Sequence, residues 1–171
     1  VYSVKRWSRA IVPILIAFAV YVVYTGATRL YDILTGVLVA IVVGGLMAPL
    51  IVEDWRKSLD IRRLGTFIVY VFKYFLVHEV KAHINVIKMG LSPSMPIKPG
   101  IVRVPIKSRS GYGITMVSLA ITNTPGTVVV DLDEEKGVLY VHWIYVKSVE
   151  PTEAYRDIAE DFDRYAKVVF D

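Results

Sequence analysis

Two apolar stretches, AIVPILIAFAVYVVYTGAT at 10–28 and ILTGVLVAIVVGGLMAPLIV at 33–52, carry no charged residue. Each is close to the ~20 residues an α-helix needs to cross a hydrocarbon layer ~30 Å thick. Such segments must face lipid or be covered by protein. A chain of 171 residues that is 54% hydrophobic, with mean hydropathy +0.49, is too apolar to cover both itself, so membrane insertion is the first inference. Lys5, Arg6 and Arg9 precede the first stretch as in a signal peptide. No A-x-A-like cleavage site follows, however, and a second apolar segment comes at once, so a retained anchor over 1–65 with two transmembrane helices (about 10–28 and 33–52) is expected.

Charge orients the anchor. Lys5, Arg6 and Arg9 lie before the first span, Arg29 alone lies between the spans, and Arg56, Lys57, Arg62 and Arg63 follow the second. Positive charge favours the cytoplasmic side, which predicts a cytoplasmic N-terminus and 53–65 loop. Over 1–78 nine Lys/Arg oppose four Asp/Glu (+5), and over 79–171 eleven oppose twelve (−1). The basic surplus therefore flanks the membrane segments and makes no phosphate-binding face, which argues against nucleic acid as a partner. The chain has no cysteine, so it holds no disulfide, cysteine-ligated zinc or iron–sulfur cluster of its own. No cofactor is expected.

A third apolar stretch, LGTFIVYVFKYFLV at 64–77, is interrupted by Lys73 and is short for a span. A full crossing would also carry Lys81, Lys88, Lys98, Arg103, Lys107 and Arg109 outside, against the charge bias. A third helix over 66–91, partly membrane-embedded or interfacial, is expected, continued by Val80, Ile84, Ile87 and Leu91 at helical spacing. Residues 92–171 then form a cytoplasmic domain. IVRVPIK, ITMVSLAIT, TVVVDL and VLYVHWIYV read as strands, and Tyr155, Ile158, Ala159, Phe162, Tyr165, Ala166 and Val169 read as one face of a C-terminal helix capped by Thr152. The fold class is thus a membrane α-helical N-terminal region plus a small α+β domain, an antiparallel sheet of 3–4 strands under a C-terminal helix. Both faces of VLYVHWIYV are apolar, so a second cover is expected, either the helix at 78–89 or another polypeptide.

Candidate functional residues are few. Gly36, Ala40, Gly44 and Ala48 form a stripe of small residues that lets another helix approach closely, the first span or a foreign one. Asp32 fits a helix N-cap or an interfacial ion pair, and Lys73 must snorkel, pair or line water. Asp32, Lys73 and Glu79 are the candidates for an ion route. Of His78, Glu79 and His83, only the last two share a helical face, too few for a metal site. His142 reads as a hydrogen-bonded core histidine; with neighbouring threonines it could also begin a polar pocket. Asp131, Asp133, Glu134 and Glu135 lack calcium-loop spacing and suit a solvated hairpin tip. No Ser/His/Asp order, P-loop, G-x-G-x-x-G or H-E-x-x-H is present, so no catalytic residue is assigned and no enzyme is expected. Thr124-Pro125-Gly126-Thr127 has type II turn chemistry, with Pro presetting φ and Gly supplying the positive φ.

The segment ITNTPGTVVVDLDEEKGVLYVHWI, with HEVKAHINVIKMGLSPSMPIKPGIVRVP upstream, resembles the E subunit of the Mrp-type multisubunit Na⁺/H⁺ antiporters. Asn123 is a departure, since members more often have Leu between the two threonines. Relatives also occur in archaeal respiratory complexes that couple a hydrogenase or a sulfane sulfur reductase to an ion-translocating module. The resemblance implies a non-catalytic accessory subunit beside small hydrophobic F-like and G-like subunits. It also makes Thr124, Pro125, Gly126 and Thr127 the recognisable element, either a docking corner for a neighbour or an intradomain turn. A stand-alone membrane-tethered binding module is the alternative function.

Overall fold

The computed structural model describes residues 2–171, with side chains from Ser8 onward, so the expected cationic side chains of Lys5 and Arg6 lie outside the described residues. The chain divides into two compact units, the first ending at Ile61 and the second beginning at Arg62.

The first unit pairs α1 (Tyr2–Thr25) with α2 (Leu30–Ile51), followed by the short α3 (Trp55–Ser58). Gly26, at φ +62°, ends α1 in the left-handed conformation, its N–H bonded to the Val22 carbonyl at 3.0 Å. The segments Ser8–Thr25 and Leu30–Ile51 are long and apolar enough to cross a membrane. The buried residues of α2 are Gly36, Ala40, Gly44 and Ala48. Gly36 lies against Tyr21 and Phe18, and Gly44 against Ile14, so the helices run antiparallel and α1 occupies the small-residue stripe. A Cβ on Gly44 would stand 2.6 Å from the Ile14 backbone, whereas one on the adjacent Gly45 would meet nothing within 4 Å. Hydrophobicity offers helices little reason to associate in lipid, so this backbone contact is what van der Waals packing can use.

The second unit starts within the first turn of α4 (Ile61–Lys73), which leads into a π-helical segment (Tyr74–Glu79) and α5 (Val80–Leu91). Next come β1 (Gly100–Pro105), α6 (Gly111–Asn123), β2 (Thr127–Asp133), β3 (Val138–Trp143), α7 (Pro151–Ile158) and α8 (Glu160–Phe170). The sheet has order β1-β3-β2, and β3 is antiparallel to both neighbours. β1 and β2 therefore run in the same direction, and parallel strands need a long crossover. That crossover is α6, which corrects the strand reading of ITMVSLAIT. Ser110 caps it by accepting from the Gly113 N–H at 3.1 Å, and Gly113, Val117, Ala120 and Ile121 are its buried face. The interval of three and four residues is helical; the β-branched content had masked it. β2 and β3 form the expected hairpin, with Asp133 and Lys136 paired at its tip.

The C-terminal region also differs from its expectation. It is two helices, broken at Ala159 (φ −119°, ψ −22°), a break that no residue there dictates. Glu150 rather than Thr152 caps α7, accepting from the Glu153 N–H at 2.9 Å, with Pro151 at the first turn and Thr152 Oγ1 donating to Glu150. The expected face is nonetheless the one that packs. Tyr155, Ile158, Ala159, Phe162 and Ala166 join Val102, Val104, Leu139, Val141 and Trp143 of the sheet and Val117, Ala120 and Ile121 of α6 in one core, which Tyr70 and Tyr74 extend. The other sheet face stays open. Ile101, Val128 and Val130 are exposed there, and His142 is half-buried beside them rather than in the core.

Asp163 is fully buried and satisfied by four donors. Its Oδ2 accepts from the Lys107 N–H (2.8 Å) and the Tyr155 hydroxyl (3.1 Å), and its Oδ1 accepts from the Ser108 N–H (2.9 Å) and Ser108 Oγ (2.6 Å). Burial, helped by Asp163, pushes the Tyr155 phenol above its usual range and keeps it a donor. Asp163→Ala would leave these donors unpaired at ~1–3 kcal/mol each before relaxation. The expected result is a loss of several kcal/mol in chemical denaturation, with Thr152→Ala within ~0.5 kcal/mol of wild type. In the first unit, Gly44→Val should separate α1 from α2, read as lost crosslinking between engineered cysteines on the two helices, while Gly45→Val leaves crosslinking unchanged.

Candidate functional site

The type II turn follows α6 directly. Gly126 has φ +98°, and the Thr127 N–H reaches the Thr124 carbonyl at 3.3 Å. Thr124 Oγ1 donates to the Ala120 carbonyl (2.7 Å) and Thr127 Oγ1 to the Ile121 carbonyl (2.7 Å), so both threonines tie the turn to the helix it ends. A Cβ on Gly126 would meet Ile144 at 3.0 Å and Val86 at 3.6 Å, which places the turn between the end of β3 and α5. Glycine is therefore required twice here, for its φ and for the close approach. Asn123 is exposed as the last residue of α6, where a polar side chain costs nothing.

The turn forms one wall of a cleft of about 750 Å³. The cleft is also lined by Lys81, Asn85, Val86 and Lys88 of α5, by Trp143 at the end of β3 with Ile144, Tyr145 and Lys147 after it, and by Arg156, Asp157, Glu160 and Asp161 of α7 and α8. The carboxylates are largely spoken for. Asp157 pairs with Lys147 at 3.1 Å, and Asp161 accepts from Lys73 at 2.8 Å and from Arg164 at 2.7 Å.

Lys73 thus resolves as an ion-pair member whose partner lies 88 residues away, with its ammonium also 5.5 Å from the centre of the Tyr165 ring. His78 Nε2 sits 3.4 Å from the same carboxylate, edge-on to Phe162. Burial works to raise the Asp161 carboxyl, but the Lys73 bond and charge, with Arg164 and His78, hold it below its usual range. Glu79 accepts from the Tyr74 hydroxyl at 2.6 Å across the π-helical turn, and its carboxylate lies 3.5 Å from His83. Burial first, and the bond to Glu79 second, push the Tyr74 phenol up to about 12. The expected shared face of Glu79 and His83 is present, and His78 points elsewhere, toward Asp161. Among the described residues no three metal-ligating side chains converge. Asp32 stands in the first turn of α2 after Arg29, the N-cap residue, and makes no capping bond itself. Of the three ion-route candidates, Lys73 and Glu79 belong to separate polar groups of the second unit, and Asp32 lies in the first unit.

Sequence reasoning missed Asp161, Asp163 and Tyr74. Asp163 carried a signal, because it stands four residues after Ala159 and three before Ala166 on the apolar face, where a carboxylate must find partners. For Asp161 only the local pairing with Arg164 was legible, because Lys73 and His78 come from α4 and the π-helical segment.

These features define a class, a chain with a hairpin of two spanning-length helices and a split β-α-β domain bearing a cleft at its α6–β2 turn. Residues 14–169 match the family model described as Na⁺/H⁺ ion antiporter subunit, and the chain belongs to that family. It is 33% identical over 127 residues to the Na⁺/H⁺ antiporter E subunit of Alkalihalophilus pseudofirmus, covering 74% of this chain and 78% of the relative. It is 39% identical over 90 residues to the Na⁺/H⁺ antiporter E subunit of Bacillus subtilis, covering 53% of this chain and 56% of that one. Among solved structures, a chain of the membrane-bound sulfane sulfur reductase (MBS), an archaeal respiratory membrane complex, superposes with a TM-score of 0.82 at 26% identity, over 95% of this chain and 99% of that chain. Family membership and two helices of spanning length make this a membrane protein.

The His78 imidazole is less ready to take a proton than in an unfolded chain. Burial lowers it first, Asp161 opposes this, and Lys73 and Lys81 lower it further. The unfolded state therefore binds more protons as pH falls below ~6.5, so stability declines on acidification. Thermal unfolding between pH 7.5 and 5 should show that decline, and His78→Gln should shrink it.

Proposed function

We propose that this chain is a non-catalytic accessory subunit of a multisubunit cation/proton antiporter module, carried within an archaeal energy-converting respiratory membrane complex. The observation that carries the reading is the family match over 14–169, supported by the likeness to a chain of the MBS complex over nearly the whole length. The spanning helices argue in the same direction. Arg9 and Asp32 are the charged residues of Ser8–Thr25 and Leu30–Ile51, and both lie within three residues of the start of those apolar segments. A proton or cation path needs ionisable groups at depth, so the conducting route belongs to other subunits. In this reading residues 1–65 are the anchor, the N-terminus and the 92–171 domain are cytoplasmic, the 66–91 helix lies at the membrane interface, and small F-like and G-like subunits are the neighbours. The Thr124–Thr127 turn is held from within by α6, Ile144 and Val86, and it presents Pro125 to the cleft as a preorganised corner for a neighbour.

Purification in mild detergent tests the assignment, which expects co-migration with several small, very hydrophobic proteins. A lone chain or a homo-oligomer would instead favour a stand-alone binding module. Within the complex, Pro125→Gly should reduce recovery of the intact assembly by more than it reduces the melting temperature of this chain. Equal losses would make the turn purely intradomain.

A further inference from the structure

Helix α5 buries none of its twelve residues. Its apolar side chains are nevertheless arranged, not scattered. At ~100° per residue, Val80, Ile84, Ile87 and Leu91 fall within an arc of ~60°, and they are 45–80% exposed. The stripe is continuous in sequence with exposed Phe72, Phe75 and Leu76. An exposed apolar face of this kind needs a cover.

The charges beside the stripe identify that cover. Lys81 and Lys88 both lie ~80° round from its centre, on the side that opens into the cleft, where Arg156 of α7 also stands. These three cations have no hydrogen bond or ion pair among the described residues, whereas Lys147, Lys73 and Arg164 are matched by Asp157 and Asp161. Glu160 is the one carboxylate of the cleft left without a partner among the described residues, so its mouth is net positive. Tyr145 is exposed on the same cleft, which Trp143 of the core also lines. An apolar stripe bordered by lysines, with aromatic rings close by, has the chemistry of the boundary between acyl chains and headgroups.

We propose that α5 is an anionic-lipid site, in which Val80, Ile84, Ile87 and Leu91 lie against acyl chains while Lys81, Lys88 and Arg156 receive the headgroup phosphate. The assignment rests on the interfacial placement of the 66–91 helix given above and adds the lipid class to it. Two lysines near an anionic surface attract it cooperatively with the apolar contact, and each contributes about a fivefold factor in affinity.

The chain has no cysteine, so a single Ile84→Cys spin label is unique. The labelled 171-residue chain is reconstituted alone in nanodiscs of phosphatidylcholine, with or without phosphatidylglycerol, and the label's access to oxygen and to a water-soluble nickel chelate is measured. The expected result is a label immersed in phosphatidylglycerol discs and exposed to nickel in phosphatidylcholine discs. Lys81→Gln and Lys88→Gln should each weaken the immersed state about fivefold, and high salt should do the same. Both lysines are exposed, so these variants should fold, which circular dichroism checks. A label accessible to nickel in both lipids overturns the proposal. So does one shielded equally in both lipids and indifferent to the lysines, which would mark a protein-covered face. Because no other subunit is present, the outcome is independent of whether the chain co-purifies with an antiporter module.

Discussion

A single buried carboxylate organises the second unit. Asp163 has no exposure to water, and it accepts from two consecutive backbone amides after β1, from the Ser108 hydroxyl and from the Tyr155 phenol. An unpaired charge at that depth would cost several kcal/mol, so the four bonds are a condition for α8 to sit where it does. They also fix where the chain leaves β1, and from that exit α6 must start. Asp171 repeats the device at the surface, accepting from the Arg109 and Ser110 amides and from Ser110 Oγ beside the first turn of α6. Once the 107–110 loop is held from the C-terminal helix, α6 crosses over one sheet face and brings β2 to the far side of β3. The other face is left open.

The two polar groups near the cleft follow from the π-helical segment. Its wider turn brings Tyr74 and Glu79, five residues apart, into contact at 2.6 Å. Tyr74 also turns its ring into the core against Phe162, at 5.8 Å between centres. Lys73 and His78, on the same stretch, meet Asp161. One irregularity in the helix thus supplies an aromatic anchor and satisfies the charges that an apolar segment carries. The first unit works by a different contact, in which small residues of α2 admit the backbone of α1 and leave leucines and valines outward, as lipid requires.

Much of this was determined by the sequence alone. The two helices of spanning length, the small-residue stripe, the hairpin tip at Asp133–Gly137, the Thr124–Thr127 turn and the packing face of the last twenty residues are local patterns. Helical or strand periodicity, a Pro-Gly pair or an absence of charge is legible over a few residues, because the backbone physics behind each is local. Tertiary structure decided the rest. ITMVSLAIT became a helix because β1 and β2 run parallel and need a crossover, a requirement that β-branched side chains do not announce. The partner of Lys73 is 88 residues away and the donors to Asp163 about 55, except for Tyr155, and which groups meet over such separations depends on how the whole core closes. His142 left the core for the same reason, since the strand pattern sets the alternation of faces and only the packing of α6, α7 and α8 selects which face is covered.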